Sequence, residues 1–325
     1  MKKQLILNCL LLLIVSCSNN QEDPSITTSI IDCEINMVNT FEINLNPQEC
    51  NIDLALELGI ESLYSESIAD DYINISTNSI PNHNVGLFPN PGNPNTISAI
   101  NKEFLLTVEP NIEESITSAQ GYMFGILFTG VSIDPFTAEF FEQSNGQKNR
   151  NWNITTLTNS VNLGLDCNNA HVQPNGKYHY HGTPSSLIEI LDTGGDEMIR
   201  VGYAADGFPI YYKYISIDDQ IIEAQSGYLL KSGQRNGDGL TAPNGCHDGT
   251  YFQDYEYVEG ISPLDQCNGI YGKTLKNENE YFYVITDNFP SSPICFMGSP
   301  DESFKNSPLG SPNRIGVHNH HIINN

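Results

Sequence analysis

Apolar and polar residues alternate with period two in several short stretches of this chain, the pattern of a strand with one buried face. Residues 33–39 and 41–45 alternate in this way, and the gap at Asn39-Thr40 is short enough to join them as a hairpin. Residues 72–78, 104–108 and 121–128 read as further strands, and 130–135 ends in a turn. Residues 200–212 read as two strands around Asp206-Gly207, a strong short-range hairpin signal. Late strands are expected at 251–258 and 281–286. Helical spacing is scarce. The best candidate covers Ile52 to Leu63, with Asn51 as N-cap and Leu54, Leu56, Leu58 and Ile60 apolar. An apolar run at 187–191 leads into a Gly-rich turn. Between Pro81 and Pro94 four prolines exclude regular structure, and a loop of that length carrying His83, Leu87 and Phe88 is expected to be ordered. The whole predicts a mainly β protein, an antiparallel sandwich or barrel-like domain with long Gly/Pro/Asn-rich loops and few short helices.

One stretch departs from the usual apolar filling. In Ala170-His171-Val172-Gln173-Pro174-Asn175-Gly176-Lys177-Tyr178-His179-Tyr180-His181-Gly182, three of the chain's 8 histidines flank a Pro-Asn-Gly turn signal. Proline suits the first central position of a type I turn, and glycine suits the left-handed residue that closes a three-residue loop. Gln173 then pairs with Lys177, Val172 faces Tyr178, and His171 faces His179. His181, two residues on, shares the histidine face, with Asn169 opposite it. Val172, Tyr178 and Tyr180 form the other side, which looks like core. A two-residue turn at Asn175-Gly176 would instead set His171 opposite Tyr180 and point it away from the other two. The first register gives Pro174 a role and is preferred.

Neutral imidazoles on alternate strand positions can converge on one ion, and nitrogen ligands suit zinc or copper. The expected ligands are His171, His179 and His181, with His83 brought in from the Pro-rich loop as a fourth. Asn169 belongs to the cluster, and Asp206 or Asp265 is expected to orient an imidazole. Three histidines with an open fourth position would bind a water and support hydrolysis; copper would point to redox chemistry or storage. Without an ion the same strand would be structural. Asn236-Gly237-Asp238-Gly239 lacks the rest of a calcium loop and reads as a plain loop. No Gly-x-Ser-x-Gly, His-Glu-x-x-His or phosphate-binding loop occurs. His318, His320 and His321 fall in a polar tail.

The ends and the charge bear on compartment. Met1-Lys2-Lys3 followed by a short apolar stretch reads as a secretory signal over residues 1–16, too short to span a membrane. Ile14-Val15-Ser16-Cys17 resembles the lipobox of bacterial lipoproteins, which makes Cys17 the lipidated residue and 17–30 a polar tether. An exported protein, lipid-anchored in the bacterial cell envelope at the outer membrane, is expected. Setting aside Cys9 and Cys17 leaves Cys33, Cys50, Cys167, Cys246, Cys267 and Cys295, an even number suited to disulfides in that compartment. The nearest pairing is Cys33 with Cys50, although the connectivity of six cysteines is open. A net charge of -25 excludes nucleic acid as a partner. The lipid bilayer, an extracellular small molecule, a glycan or another envelope protein remain, and the 16 tyrosines suit contact with the last two.

Several of these motifs recur together in one family. Ala170-His171, Pro174-Asn175-Gly176 and Tyr178-His179-Tyr180-His181, then Asp206-Gly207-Phe208-Pro209-Ile210-Tyr211, Leu264-Asp265-Gln266-Cys267-Asn268-Gly269 and Cys295-Phe296-Met297-Gly298 resemble the YHYH domain family. Ser79-Ile80-Pro81-Asn82-His83 is similar to that family's early Ile-Pro-x-His element. The resemblance runs from about Tyr72 to Pro300, giving a domain at 72–300 after an extension at 31–71 and before a tail at 301–325. It implies little about activity, because the family is named for its motif. The family's second histidine-bearing aromatic stretch is matched here by Tyr281-Phe282-Tyr283, which offers no imidazole.

Overall fold

The computed structural model describes Cys33 and residues 48–157, 161–192 and 194–306. The expected signal, Cys17, the tether, the hairpin at 33–45 and the tail histidines His318, His320 and His321 lie outside the described residues, Cys33 excepted. Among the described residues no helix is long and apolar enough to cross a membrane.

The fold is mainly β and mostly antiparallel. Its centre is an eight-stranded sheet, in spatial order Gly269–Gly272, Glu280–Ile285, Pro209–Tyr212, Ile199–Ala204, Gly125–Leu127, Ser132–Ile133, Tyr178–Tyr180 and Ala170–Val172. Two neighbours run parallel, Tyr180 beside Ile133 and Pro209–Tyr212 beside Glu280–Ile285. The two outer strands do not pair with each other, so the sheet is open and the barrel alternative is not adopted. A second sheet consists of Tyr64–Ala69, Tyr72–Thr77 and Lys102–Thr107. In its middle strand Ile73, Ile75 and Thr77 are buried and the residues between them exposed, as the alternation requires. Ile75, Phe104 and Leu106 join Phe124, Ile126, Tyr283 and Phe296 of the central region in one core. Phe104 stacks on Phe304 at 4.4 Å and Phe124 on Phe296 at 4.9 Å.

Three expectations change. The helix over 52–63 shrinks to Leu54–Leu58, capped by Asp53 rather than Asn51 and ended by Gly59 at φ 64°. Asp53 Oδ1 accepts from the backbone N–H of Ala55 (2.9 Å) and of Leu56 (3.2 Å). The apolar positions there are spaced by two and make no helical face, so Leu54 is buried while Leu56 is 84% exposed. The run at 187–191 is instead part of a helix, Ser185–Leu191, which buries Leu187 and Ile188. The span 251–258 divides into a 3-10 turn, Phe252–Asp254, and a strand, Tyr255–Tyr257.

The Cys33–Cys50 pairing is also corrected. The bonds are Cys33–Cys246, Cys50–Cys167 and Cys267–Cys295. Gln48 bridges to Asp166 and Ile52 to Val85, which lays Cys50 beside Cys167 with 5.7 Å between their Cα atoms. Proximity in sequence was the wrong guide because the backbone ladder, not the intervening loop, brings the cysteines together. Three disulfides mark a chain folded in an oxidising compartment, outside the cell or exported from the cytoplasm.

Candidate metal centre

The histidine hairpin forms at the edge of the central sheet in the register that the proline favours. Val172 pairs with Tyr178, His171 with His179 and Ala170 with Tyr180. The Gln173 N–H donates to the Lys177 carbonyl at 2.9 Å and the Gly176 N–H to the Gln173 carbonyl at 2.8 Å, with Gly176 at φ 90°. Any Cβ at Gly176 would also lie 2.7 Å from the Ser98 Cβ, so both conformation and packing call for glycine.

The tyrosine face of this hairpin is core, and its hydroxyls are satisfied. Tyr178 donates to Asp166 Oδ2 at 2.7 Å. Asp166 also accepts from the backbone N–H groups of Gly86, Asn168 and Ala170, fixing the chain just before His171. The Tyr180 hydroxyl lies 2.6 Å from His83 Nε2 and 3.0 Å from Thr129 Oγ1. His83 Nδ1 faces the Asn84 carbonyl at 2.8 Å and must donate to it, which leaves Nε2 to accept from Tyr180. His83 is therefore not a fourth member of the histidine cluster. It packs on the opposite side of the strand, with both ring nitrogens engaged.

On the histidine face His179 and His181 are also buried, 2% and 3% exposed, and His171 is half-buried. One ligand nitrogen from each of His171, His179 and His181 lies within 4.8 Å of the others, and among the described residues this is the one group of three potential ligands so placed. The ring centroids are 4.8, 4.8 and 4.6 Å apart. His171 Nε2 and His181 Nε2 are separated by 3.1 Å. Two nitrogens on one tetrahedral zinc lie about 3.3 Å apart, so this pair already has ligand spacing.

Backbone carbonyls set the tautomers. His171 Nδ1 donates to the Leu163 carbonyl at 3.0 Å, so its Nε2 turns a lone pair toward His181. His179 Nδ1 lies 3.4 Å from the Lys177 carbonyl, which places its Nε2 free in the same way. His181 Nδ1 is buried with no hydrogen-bond partner. Burial holds all three imidazoles below their ordinary pKa, and those of His179 and His181, where neighbouring imidazoles add to the effect, well below it. Neutral rings are the form that coordinates a metal, with no proton to displace.

The side chains expected to orient these rings are used otherwise. Asn169 donates from Nδ2 to the Thr183 carbonyl at 2.9 Å, while its own carbonyl accepts from the His181 N–H at 2.8 Å. It fixes the backbone around His181 and touches no imidazole. Asp206 accepts from the Tyr283 hydroxyl at 2.6 Å and the Gly298 N–H at 3.0 Å. Asp265 accepts from the Tyr281 hydroxyl at 2.8 Å. Both carboxylates are thus occupied by the Tyr281-Phe282-Tyr283 stretch.

Two further residues matter. Lys177 shares the histidine face by parity with His179 and His181, and it is buried, its Nζ 3.2 Å from the Met123 sulfur. Burial pushes its pKa down to about 8, against the pull of Asp134. Asp134 itself is pushed up to about 6 by burial. The strand alternation that grouped the histidines would have grouped Lys177 with them. Nothing in the sequence pointed to the Leu163 carbonyl.

His181 also forms part of the wall of a small cleft shared with Leu157, Phe252, Phe289 and Ser292. No solved structure and no curated protein matches this chain. The family model described as YHYH protein matches residues 103–298, which takes in the histidine hairpin, Asp206, Asp265 and both tyrosines that hold them, but not Ser79–His83. With that match across more than half of its length and the Tyr178-His179-Tyr180-His181 strand at the heart of the site, the chain belongs to the YHYH protein family.

Proposed function

We propose that this is an exported metalloprotein in which His171, His179 and His181 hold a zinc or copper ion. The observation that carries the reading is the convergence of three neutral imidazoles, two with their outer nitrogens held by backbone carbonyls, so that one ligand nitrogen of each lies within 4.8 Å of the others.

Three protein ligands leave a fourth position. A zinc ion there would supply a bound water of lowered pKa for hydrolysis; a copper ion would supply electron transfer or oxidase chemistry. The burial of the triad favours a small substrate. The chain's own residues contribute a dry, fixed set of donors and, in Lys177, a buried cation on the same face. We place the protein at the cell envelope, anchored by a lipid on Cys17 in the outer membrane. X-ray absorption on the loaded protein tests the site: a shell of about three imidazole nitrogens supports it, and a shell of oxygens or sulfurs refutes it.

A second reading is a non-catalytic binding module for a glycan or an envelope protein, with the histidine hairpin structural. It is favoured by the aromatic series Phe136, Phe252, Phe289 and Tyr255, in which Tyr255 stacks on Phe289 at 3.7 Å. A folded protein that takes up neither zinc nor copper would leave this reading alone.

A further inference from the structure

The three imidazoles meet with close to three-fold symmetry. Their ring centroids are 4.8, 4.8 and 4.6 Å apart, so no two of them stand opposed. A tetrahedral zinc takes three nitrogens on one side in this way and keeps its fourth position opposite them. A square-planar copper(II) cannot, because two of three imidazoles must then lie trans, with ring centres about 6 Å apart. One ring would have to move outward by about 1 Å or more to reach that plane.

Whether a ring can move is decided behind it. The strands that carry the triad, Ala170–Val172 and Tyr178–Tyr180, are short and lie at the end of the central sheet, joined to it through Tyr180 beside Ile133. A two-stranded pair holds its shape poorly unaided. The long loop of residues 78–101, between Tyr72–Thr77 and Lys102–Thr107, braces it. Asn93 Nδ2 and Asn95 Nδ2 both donate to the Val172 carbonyl, at 2.9 and 2.7 Å, beside His171. The Ser98 N–H donates to the Gly176 carbonyl at 2.9 Å, which fixes the turn. Phe88 meets the Tyr178 ring edge-on at 6.1 Å. His83 has the central place, since its Nε2 accepts at 2.6 Å from Tyr180, the residue between His179 and His181.

We propose that this loop determines which metal the triad prefers. By holding Tyr180 through His83, and Val172 through Asn93 and Asn95, it keeps the three imidazoles on one side of the ion and shifts the preference from copper(II) toward zinc. His83 is then a positioning residue, acting through Tyr180 from the opposite face of the strand. An unconstrained set of nitrogen ligands binds copper(II) more tightly than zinc, so the constraint shows as a narrowing of that gap. The inference rests on the triad holding an ion, and adds which ion is favoured and what selects it.

The test uses the full chain without an affinity tag, with His318, His320 and His321 replaced by alanine so that the tail takes no copper. His83→Leu, His83→Gln and the pair Asn93→Ala with Asn95→Ala are compared with it. Zinc and copper(II) affinities are measured by competition with a chelator, copper(II) is examined by electron paramagnetic resonance, and circular dichroism checks each fold. His83→Leu is expected to bind zinc about tenfold more weakly and copper(II) about as tightly as before, raising the copper-to-zinc affinity ratio about tenfold. His83→Gln, whose amide oxygen can still accept from Tyr180, should restore most of the original ratio. The parallel copper hyperfine splitting should be smaller in the unsubstituted site than in a copper(II)–imidazole complex, and should widen toward it in His83→Leu. Equal loss of both metals in the variants would mean that the loop only stabilises the fold, and would overturn the proposal, as would a square-planar copper signal from the unsubstituted site. If His83→Leu does not fold, the asparagine pair decides by the same ratio. Uptake of neither metal by the folded protein sinks the metal reading and this inference together, whereas uptake with an unchanged ratio in the variants sinks this inference alone.

Discussion

Two hairpins of the central sheet invite comparison. Both turn over three residues closed by a glycine in the left-handed region, Gly176 at φ 90° and Gly207 at φ 92°, and both bury titratable side chains. At the second, Asp206 meets donors: the Tyr283 hydroxyl and the Gly298 N–H converge on one carboxylate oxygen, and Met297 N–H donates to the same tyrosine at 2.7 Å. At the first, three imidazoles face one another, two of their nitrogens lie 3.1 Å apart, and His181 Nδ1 has no partner. Asp206 is held through Oδ2 by donors of its own chain, while its Oδ1 has none. The triad gathers three potential ligand nitrogens around one point, which is why the metal is proposed there.

A disulfide lies near each hairpin in sequence or through its hydrogen-bond partners, and removing the two should separate the roles. Cys50–Cys167 closes 117 residues and adjoins the strand that carries His171, so Cys50→Ser with Cys167→Ser should cost about 5 kcal/mol and also weaken metal retention. Cys267–Cys295 closes 28 residues beside the Asp206 site, and its loss should cost about 3.5 kcal/mol while leaving metal uptake intact. Chemical denaturation with metal analysis of each variant reads both quantities.

Asp206 gives the next effect. Burial pushes its pKa up to about 6, above the ordinary value of 3.8. The folded state therefore holds this proton more tightly than the unfolded chain does. The stabilisation is fully present below pH 3.8 and is lost as pH rises through 6, a change on the order of 3 kcal/mol. Asp206→Asn cannot titrate, so its stability relative to the natural protein should improve by about that amount between pH 4 and pH 7.5. Denaturation midpoints of the two proteins across this range provide the check, and a constant difference would contradict the assignment. The triad histidines act in the opposite sense: their lowered pKa values mean that stability of the metal-free protein is lost as pH falls below 6.5.

Lys177→Met tests the electrostatics of the histidine face. The lysine cation disfavours positive charge on His179, and an ion would feel the same repulsion. Metal affinity should rise by about fivefold in the variant, measured by competition with a chelator. The smallest effect belongs to a site remote from both hairpins. Asp53→Ala removes the cap of Leu54–Leu58 and should cost about 0.5–1 kcal/mol with no change in metal content.

Much of the histidine hairpin was legible because strand parity and turn chemistry are local. Pro174 and Gly176 set the register, and the register alone grouped His171, His179 and His181. The Asp206-Gly207 turn and the strand at Glu280–Ile285 were legible for the same reason. What failed depended on distant chain. His83 carried the right side chain on the wrong side of the strand, because its loop packs against Tyr180. Asp206 and Asp265 carried the right chemistry but are claimed by Tyr283 and Tyr281, more than a dozen residues away in each case. The disulfides followed bridges such as Gln48 with Asp166, which no local spacing encodes. Lys177 could have been read by the same parity.

The central claim is that the triad holds an ion. The most direct measurement is metal per chain by mass spectrometry, on protein expressed without an affinity tag and exposed to zinc and to copper. His179→Ala with His181→Ala, and a chain ending before Val317 to remove His318, His320 and His321, are measured beside it. The account predicts close to one ion per chain, retained when the tail is removed and lost in the double substitution. A folded protein that binds neither metal, or one whose metal survives the double substitution, would contradict it.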